Sequence, residues 1–550
     1  MSGARVLAIH TRRPWARPGS IIPVDVTLSA REPATIRVEL ALLDLDRAVA
    51  IASGTFRLRP GRSVRTLRLR LPEVGRRGYG LRALVPGSPG SVAHGAVEAL
   101  DGWWQSPRHA AITRYRTARG TAAAVRALRD WHVTVVQLYD WMYRHYRYEP
   151  PTGRTFIDIL GRRVSHDAVR AGVAAGHAVG IASLAYGSVY GAEREYVDAH
   201  PDERAFDAQG APLSLGETFY INDLRPGRPW RRRLLAQYAR TIRRFRVDGI
   251  HMDTYGPPHR AIAADGEPID FAALYPGLIA DGAAAVAAAD PDARVLFNCV
   301  EGFPLSAVAD APAAALYLEL WPPDIAYHDL TRWIGRARGL AGGRAVVIAA
   351  YVSALRTFEL DPTARPGAIE AAVLLTSIIA AAGAYHHVLA ERDHLLVEGY
   401  YPEARQLRLG ERRELQAAWA FTARYVHLLS DPELRSVDVS GLMLRDASST
   451  PIPVRRTPTA GSVWVRASRT TDGTIVVHLV DLVDQIDDRW DAVRRPSPVR
   501  RGWRLYWPDH SVGTTRIAMS PWLASGQAQR LDDDGLPTFR RWLVIAARPG

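Results

Sequence analysis

The spacing of apolar and polar positions changes along the chain near residues 105 and 430. Up to about residue 105, short stretches alternate apolar with polar residues between Pro- and Gly-rich breaks, a pattern that indicates the strands of a β-sandwich. The clearest of these stretches are 21–28, 35–42 and 64–71. The alternation returns after about residue 436, where strands are expected at 462–469, 474–482, 503–507 and 542–546.

Between these two regions, short apolar runs alternate with helical segments, which is typical of a parallel α/β fold. Eight runs are candidate strands: 109–115, 133–139, 179–186, 247–253, 295–299, 316–320, 345–351 and 383–389. Eight strand–helix units favour a TIM barrel. A doubly wound open sheet is the alternative, although no glycine fingerprint follows the first strand.

We therefore predict a multidomain chain of the α/β plus all-β class. Its parts are an N-terminal Ig-like β-sandwich at 1–105, a central (β/α)8 TIM barrel at 106–430 and a C-terminal β-sandwich domain at 431–550.

Composition narrows the range of partners. All 70 basic residues are arginine, against 57 acidic residues, and the net charge is +13. The arginines are spread along the chain and not gathered in a nucleic-acid-binding module, so we expect no nucleic-acid partner. Cys299 is the only cysteine, which excludes an intramolecular disulfide. We see no secretory signal at the N-terminus and no run that would span a bilayer, so we expect no membrane association and favour a cytoplasmic location.

Two candidate strands end on carboxylates, Asp253 and Glu319. In a barrel, the carboxyl ends of the strands carry the chemistry. Cleavage of a glycosidic bond needs two such groups, one to attack the sugar or activate water and one to protonate the leaving oxygen. The plainer interpretation makes each a helix cap or a surface ion pair. Asp248, at the start of the first of these strands, is expected to be structural.

Other strand ends are also polar. Asp140 could accept hydrogen bonds from sugar hydroxyls, Trp141 could stack on a ring, and Asn298 could bind a hydroxyl. His386 and His387 are adjacent on a strand, so their side chains should point to opposite faces and not share one metal ion. No Gly-x-Ser-x-Gly elbow follows a strand, and a phosphate loop is impossible without lysine. We expect no metal and no cofactor.

Four segments together resemble glycoside hydrolase family 66, the dextranases and cycloisomaltooligosaccharide glucanotransferases. They are Tyr-Asp-Trp-Met-Tyr-Arg-His at 139–145, Asp-Gly-Ile-His-Met-Asp at 248–253, Tyr-Leu-Glu-Leu-Trp-Pro at 317–322 and Glu-Gly-Tyr-Tyr-Pro at 398–402. The order β-sandwich, barrel, β-domain is also similar to that of the family.

This resemblance implies a retaining glycoside hydrolase that cleaves α-1,6-glucosidic linkages of dextran or isomaltooligosaccharides, with or without transglycosylation. Asp253 would be the nucleophile and Glu319 the general acid/base. The expected partner is an α-glucan oligo- or polysaccharide. The residues expected to contact it are Tyr139, Asp140, Trp141, His145, His251, Tyr255, Asn298, Trp321 and His386.

Some features depart from the family. His387 and Val388 differ from its usual pattern in strand 8, and its members are commonly secreted. Cyclising members carry an inserted carbohydrate-binding module, whereas only 32 residues separate residue 351 from residue 383 here. Hydrolysis is therefore favoured over cyclisation. The alternatives are an α-glycosidase or transglycosylase on another α-glucan or α-glycoside, and a non-catalytic carbohydrate-binding protein.

Overall fold

The centre of the protein is one curled sheet. The computed structural model describes residues 4–88, 90–357, 361–507, 514–523 and 526–549, so the first three residues of the segment interpreted as lacking a signal lie outside it. Eight parallel segments form most of the sheet: β1 (His109–Ile112), β2 (Val135–Leu138), β3 (Ala182–Ser188), β4 (Gly249–Asp253), β5 (Arg294–Val300), β6 (Ala315–Glu319), β7 (Ala345–Ala349) and β8 (Tyr385–His387).

These strands lie side by side in chain order, and every neighbouring pair is parallel. A doubly wound sheet would instead reverse its strand order at a switch point. The sheet also returns to its start, because β8 pairs with β7 and the residues just after it, Leu389–Ala390, pair with β1. The core is therefore barrel-like, and the open-sheet alternative is wrong. Two short strands, His394–Leu395 and Arg405–Gln406, extend the sheet beyond this point.

Helices occupy the connections between the core strands, because each connection carries an apolar face that must be buried against the sheet. Those in the described ranges are α1 (Ala118–Ala127), α2 (His166–Val179), α3 (Arg194–Ala199), α4 (Pro229–Phe245), α5 (Phe271–Ala287), α6 (Leu305–Val308), α7 (Tyr327–Leu340), α8 (Ala354–Thr357), α9 (Arg365–Ala381), α10 (Leu409–Arg424) and α11 (Val426–Leu429). Short 3-10 turns lie at Trp103–Gln105, Leu128–Trp131, Pro201–Glu203, Pro362–Ala364 and Tyr401–Glu403.

Short antiparallel strands fill the loops after β2, β3 and β4. They are Thr155–Ile157 with Arg163–Ser165; Gly191–Ala192, Ser214–Leu215 and Phe219–Ile221; and Ala205–Phe206, Arg260–Ala263 and Pro268–Asp270. These loops follow the carboxyl ends of the strands, so they build the walls on the side of the sheet where Asp253 lies.

The N-terminal region contains two sheets that share one apolar cluster. One has three strands, Arg5–Thr11, Ile21–Ala30 and Gly61–Arg70; the other has five, Trp15–Ala16, Val92–Ala99, Arg77–Leu84, Ala34–Asp44 and Arg47–Leu58. The alternation seen in the sequence explains the packing, since Val24, Val26 and Leu28 are fully buried on one face of their strand.

The C-terminal region is also built from strands. One sheet contains Arg435–Val437, Val454–Arg455, Val463–Arg469, Ile475–Asp481, Thr514–Met519, Gln529–Leu531 and Trp542–Pro549, and a smaller one contains Met443–Arg445, Pro451–Ile452 and Arg504–Tyr506. Side chains of both sheets meet in one apolar cluster, which includes Leu444, Leu505 and Leu543.

Both flanking regions pack tightly on the core. At Gly78, any side chain would clash, because a Cβ atom would lie 2.1 Å from the carbonyl oxygen of Ala423 on α10. On the other side, the Arg494 N–H donates to the Gly367 carbonyl oxygen on α9 at 3.1 Å. The segment Pro362–Ala381 is long and apolar enough to cross a membrane, but 89% of it is buried inside the protein. It is a core helix by its surroundings.

A buried ion pair fixes the C-terminal region to the core. Arg541 donates to both carboxylate oxygens of Glu370 on α9, at 2.8 and 2.6 Å, and to Glu414 on α10 at 2.7 Å. The side chains of Arg541 and Glu370 are each only 1% exposed.

We predict that Arg541→Met lowers the free energy of unfolding by about 3–5 kcal/mol, because it leaves the Glu370 charge buried without its main partner. Arg489→Met is the matched control: Arg489 pairs with Asp491 near the surface, where such a pair contributes about 1 kcal/mol or less. Chemical denaturation of both variants measures the difference. Equal losses would contradict a structural role for the buried pair.

Candidate active site

One amide joins the two carboxylates predicted at the strand ends. Asn298 on β5 donates from its single Nδ2 atom to Oδ1 of Asp253 at 2.7 Å and to Oε2 of Glu319 at 2.6 Å. These two distances together limit the separation of the two oxygens to 5.3 Å at most. The structure thus brings β4, β5 and β6 together at their carboxyl ends, as the pattern of strand ends predicted.

The strand period explains why these three side chains converge. Side chains two residues apart share a face of the sheet, so His251 and Asp253 on β4, and Tyr317 and Glu319 on β6, all point to the inside of the curl. Asp253 is partly exposed, whereas Glu319 is only 9% exposed. The pair is therefore reached from the Asp253 side.

Aromatic side chains complete the contacts of the pair. The Tyr351 hydroxyl donates to Oε1 of Glu319 at 2.6 Å. The Trp321 side chain also hydrogen-bonds to Glu319, and the Tyr186 hydroxyl hydrogen-bonds to Asp253. The ring of Trp321 lies 5.3 Å from that of Tyr351. Each carboxylate thus accepts at least two hydrogen bonds, which holds it in one orientation.

Burial and mutual repulsion raise the pKa of both groups. Burial, followed by the nearby Glu319 charge, raises the pKa of Asp253 to about 7, against the lowering effect of the Asn298 and Tyr186 hydrogen bonds. Burial also raises the pKa of Glu319, against hydrogen bonds from Tyr351, Asn298 and Trp321. Because each charge disfavours the other, the two groups lose their protons in two separate steps. Near neutral pH, the pair holds one proton.

Several of the predicted sugar contacts do lie around the pair. Tyr139 stacks on Tyr401, with 4.4 Å between ring centroids, and donates to the Gly399 carbonyl oxygen at 3.2 Å. Asp140 is partly exposed and lies 3.4 Å from Arg162; its charge contributes to the raised pKa of Asp253. Its φ of 43° turns the chain sharply where β2 ends.

The opposite wall carries His145 and Tyr255. His145 is held through Nδ1 by Glu193 at 2.9 Å, and its ring lies 6.1 Å from that of Tyr186. Although burial disfavours the imidazolium, the Glu193 carboxylate raises the pKa of His145. Tyr255 is partly exposed, and its ring lies 5.9 Å from that of Phe219.

Trp141 and His251 are buried away from the pair. Trp141 is fully buried, donates from Nε1 to the Tyr186 carbonyl oxygen at 3.1 Å and packs on Phe245 of α4. Its ring fills the space between sheet and helices, so it offers no face to a sugar. His251 lies one layer below Asp253, 1% exposed. The predicted sugar contacts at these two positions are not supported by where the side chains lie.

His386 is also placed differently from the prediction. Its Nδ1 atom bonds to Thr376 on α9 at 3.0 Å, and its Nε2 atom bonds to the Ala350 carbonyl oxygen at 2.8 Å. His386 therefore faces the helices, and its neighbour His387 faces inward, as the alternation of a strand requires. The prediction of opposite faces is confirmed, but the histidine assigned to the sugar was the wrong one of the two for an inward position.

Sequence reasoning missed three tyrosines that surround the pair. Tyr186 and Tyr351 are the last residues of two predicted strands, and Tyr401 lies in the segment 398–402. The strand-end rule that selected Asp253 would have selected the first two, had hydroxyls been considered as well as carboxylates. Asp248, in contrast, is structural as expected: it accepts from the Ser183 N–H at 2.7 Å and contacts His177 at 2.9 Å.

A close carboxylate pair at the carboxyl ends of parallel strands is the arrangement that glycoside hydrolases use. Residues 15–529 match the family described as glycosyl hydrolase family 66. The chain belongs to this family.

Relatives within the family carry one name. Two cycloisomaltooligosaccharide glucanotransferases of Niallia circulans are 28% identical over 57% of this chain and 27% identical over 48% of it. These matches cover 34% and 30% of the relatives, so the chain spans about a third of their length. A solved cycloisomaltooligosaccharide glucanotransferase of Paenibacillus sp., complexed with cycloisomaltoheptaose, superposes with a TM-score of 0.88 at 18% identity, over 99% of this chain and 100% of that one. At this identity, the likeness shows the fold.

We predict that Glu319→Gln lowers the pKa of Asp253, because it removes the negative charge that opposes ionisation of Asp253 while keeping a similar shape. Carbon-13 NMR titration of the aspartate carboxyls measures the shift, and the signal missing in Asp253→Asn gives the assignment. An unchanged pKa of Asp253 would show that burial alone sets its value.

Proposed function

We propose that this protein is a retaining glycoside hydrolase that cleaves α-1,6-glucosidic linkages of dextran or isomaltooligosaccharides by double displacement. The observation that carries this proposal is the shared Asn298 amide, which keeps the facing oxygens of Asp253 and Glu319 within 5.3 Å. Retaining enzymes keep their carboxyl groups about 5–5.5 Å apart, whereas inverting enzymes need about 6.5–9.5 Å to admit a water. The short separation supports direct attack by one carboxylate.

In this proposal, Asp253 is the nucleophile and Glu319 the general acid/base. Asp253 forms a bond to the anomeric carbon as the glycosidic bond breaks, and Glu319 gives its proton to the departing oxygen. The product of this step is a covalent glycosyl-enzyme. Glu319 then takes a proton from water, or from the hydroxyl of an acceptor sugar, as that oxygen displaces Asp253. A pair that holds one proton near neutral pH suits this division of roles.

The walls described above would hold the sugar. We propose that Tyr139, Asp140, His145, Tyr255 and Trp321 contact the glucan, because they surround the accessible side of the pair. Asn298 orients both carboxylates and leaves little reach for the sugar. Trp141, His251 and His386 are left out of this proposed contact set for the reasons given above.

The substrate proposal is supported by the relatives. The solved relative was crystallised with cycloisomaltoheptaose, and the curated relatives are glucanotransferases by name. Transfer to a sugar acceptor therefore remains part of the proposal. Hydrolysis is favoured over cyclisation because the long connection from 189 to 248 is occupied by α3, α4 and short strands, and leaves no room for an inserted module.

We also propose three domains for the architecture: a β-sandwich at 1–105, a (β/α)8 barrel at 106–430 and a β-sandwich at 431–550. The two separate apolar clusters of the flanking regions support these divisions, as does the return of the sheet to β1 through Leu389–Ala390.

Incubation with dextran tests the proposed activity. We expect linear isomaltooligosaccharides, which mass spectrometry separates from cyclic products because a ring is lighter by one water. Reaction in heavy-oxygen water should place the label on the new reducing end. Activity on other aryl α-glycosides but none on dextran would move the substrate to another α-glycoside, and binding of dextran without turnover would leave a non-catalytic protein.

We predict that Asp253→Asn reduces kcat by more than about 10⁴-fold, because an amide cannot form the glycosyl-enzyme. Glu319→Gln should lose about 10²–10⁴-fold on dextran but much less on an aryl glycoside whose leaving group needs no proton. Asp248→Asn is the matched control, since it changes the same strand at its other end. Normal turnover in Asp253→Asn would overturn the assignment.

A further inference from the structure

A line of buried hydroxyl groups runs inward from Glu319. Tyr351 donates to Oε1 of Glu319 at 2.6 Å, and its hydroxyl lies 3.3 Å from that of Tyr401. Tyr401 is hydrogen-bonded in turn to Tyr317. The Tyr317 hydroxyl lies 2.6 Å from Nδ1 of His387. The mechanism proposed above uses none of the last three residues.

All four members of this line are buried. Tyr351, Tyr401 and Tyr317 are 3%, 5% and 1% exposed, and His387 is fully buried. Hydrogen bonds in such surroundings are strong and polarise one another, while an unpaired polar group is costly. The line is therefore a connected unit whose proton positions are set together.

The number of protons fixes the direction in which the line donates. Each tyrosine hydroxyl has one proton to give. A distance of 2.6 Å is typical of a hydroxyl that donates to a carboxylate, so the proton of Tyr351 is committed to Glu319. The Tyr351 oxygen must then accept from Tyr401, and the Tyr401 oxygen must accept from Tyr317. Tyr317 has no proton left for His387.

His387 must therefore donate to Tyr317 through an Nδ1–H group. Burial, together with the nearby His109, His251 and His386, keeps the pKa of His387 well below its usual range, so its ring is neutral and carries one proton. With that proton on Nδ1, Nε2 is an acceptor, and it has no hydrogen-bond partner within the described part of the chain. The reverse direction would leave a buried N–H without an acceptor, which is the rarer defect.

We propose that His387 is a positioning residue for Glu319. As the terminal donor of the chain through Tyr317, Tyr401 and Tyr351, it commits Oε1 of Glu319 to accepting and leaves Oε2 to carry the proton that is transferred. This inference rests on the role proposed above for Glu319 as general acid/base.

The choice of oxygen matters for the reaction. Oε2 is the oxygen that shares the Asn298 amide with Asp253, so it faces the gap in which the glycosidic bond would lie. Oε1 points to the tyrosines and the sheet interior. A proton on Oε1 would have to cross to the other oxygen before it could reach a leaving group. The chain removes that possibility by keeping Oε1 occupied.

The competing explanation is that His387 only fills the interior of the sheet. Two substitutions of similar shape separate the two explanations. In His387→Asn, the side-chain amide can donate from nearly the position of Nδ1, whereas His387→Leu offers an apolar side chain and no donor. A filling role predicts that the leucine variant is tolerated at least as well as the asparagine variant.

The first readout is the pH dependence of kcat/KM on dextran, whose basic limb reports loss of the proton from the pair. Glu319 faces Asp253, Glu301, Tyr351, Tyr401 and Tyr317, and all of these remain in both variants. Without the terminal donor, ionised Glu319 is less stabilised and its pKa rises, so the basic limb should move to higher pH in His387→Leu. We expect a move of about 0.3 pH unit with a several-fold lower kcat/KM, and wild-type behaviour in His387→Asn.

Tyr401→Phe provides a second break in the chain should His387→Leu fail to fold. It keeps the ring that stacks on Tyr139, and should move the basic limb in the same direction by a larger amount. Identical profiles for His387→Leu and His387→Asn, together with an unmoved limb in Tyr401→Phe, would overturn the proposal.

The second readout does not depend on activity. Nitrogen-15 NMR of histidine-labelled protein reports which ring nitrogen carries the proton, and the signal lost in His387→Asn identifies His387. We expect a neutral ring protonated at Nδ1. A ring protonated at Nε2 would overturn the chain even in an active enzyme. Absence of glycosidase activity together with an Nδ1–H ring would instead refute the function proposed for Glu319 and leave the chain intact.

Discussion

The arrangement of this molecule depends on keeping two carboxylates within reach of one amide in a buried site. Each of Asp253 and Glu319 would lose stability beside the other if both were ionised, so the pair must share a proton or receive compensating hydrogen bonds. Asn298 supplies one bond to each, and Tyr186, Tyr351 and Trp321 supply the others. The strands provide what a loop could not, since β4, β5 and β6 lie at fixed spacing in a parallel sheet and deliver three side chains to the same end.

Much of this could be predicted from the sequence, because the rules involved are local. A run of apolar residues that ends on a carboxylate indicates a strand end, and consecutive parallel strands place their ends together. This was sufficient to predict Asp253 and Glu319, the parallel core and the strand-rich character of both flanking regions. Asn298 was also found in this way, although its contact with both carboxylates was not. That contact depends on the register between β5 and its two neighbours, which pairing fixes and sequence spacing does not.

The predictions that failed did so because they required the direction of a side chain. His386 and His387 are equally plausible in a sequence, yet the period of two sends one to the helices and the other to the interior. Trp141 follows β2 in a segment rich in sugar-compatible residues, but its ring is drawn into the gap beside Phe245, where its large apolar area is best buried. Tyr401 could not be predicted at all from strand ends, since a 3-10 turn far along the chain brings it beside Tyr139.

The polar interior has a cost that a purely structural core would avoid. TIM-barrel interiors are usually filled by branched apolar side chains, whereas here His109, His251, Tyr317 and His387 occupy the layer beneath the carboxylates. Burying these groups lowers the pKa of each histidine, so the layer stays neutral and adds no charge that would disturb the pair above it. Neutral donors and acceptors can orient a carboxylate without changing the net charge of the site. A layer of this kind therefore fits a site whose chemistry depends on the position of a single proton.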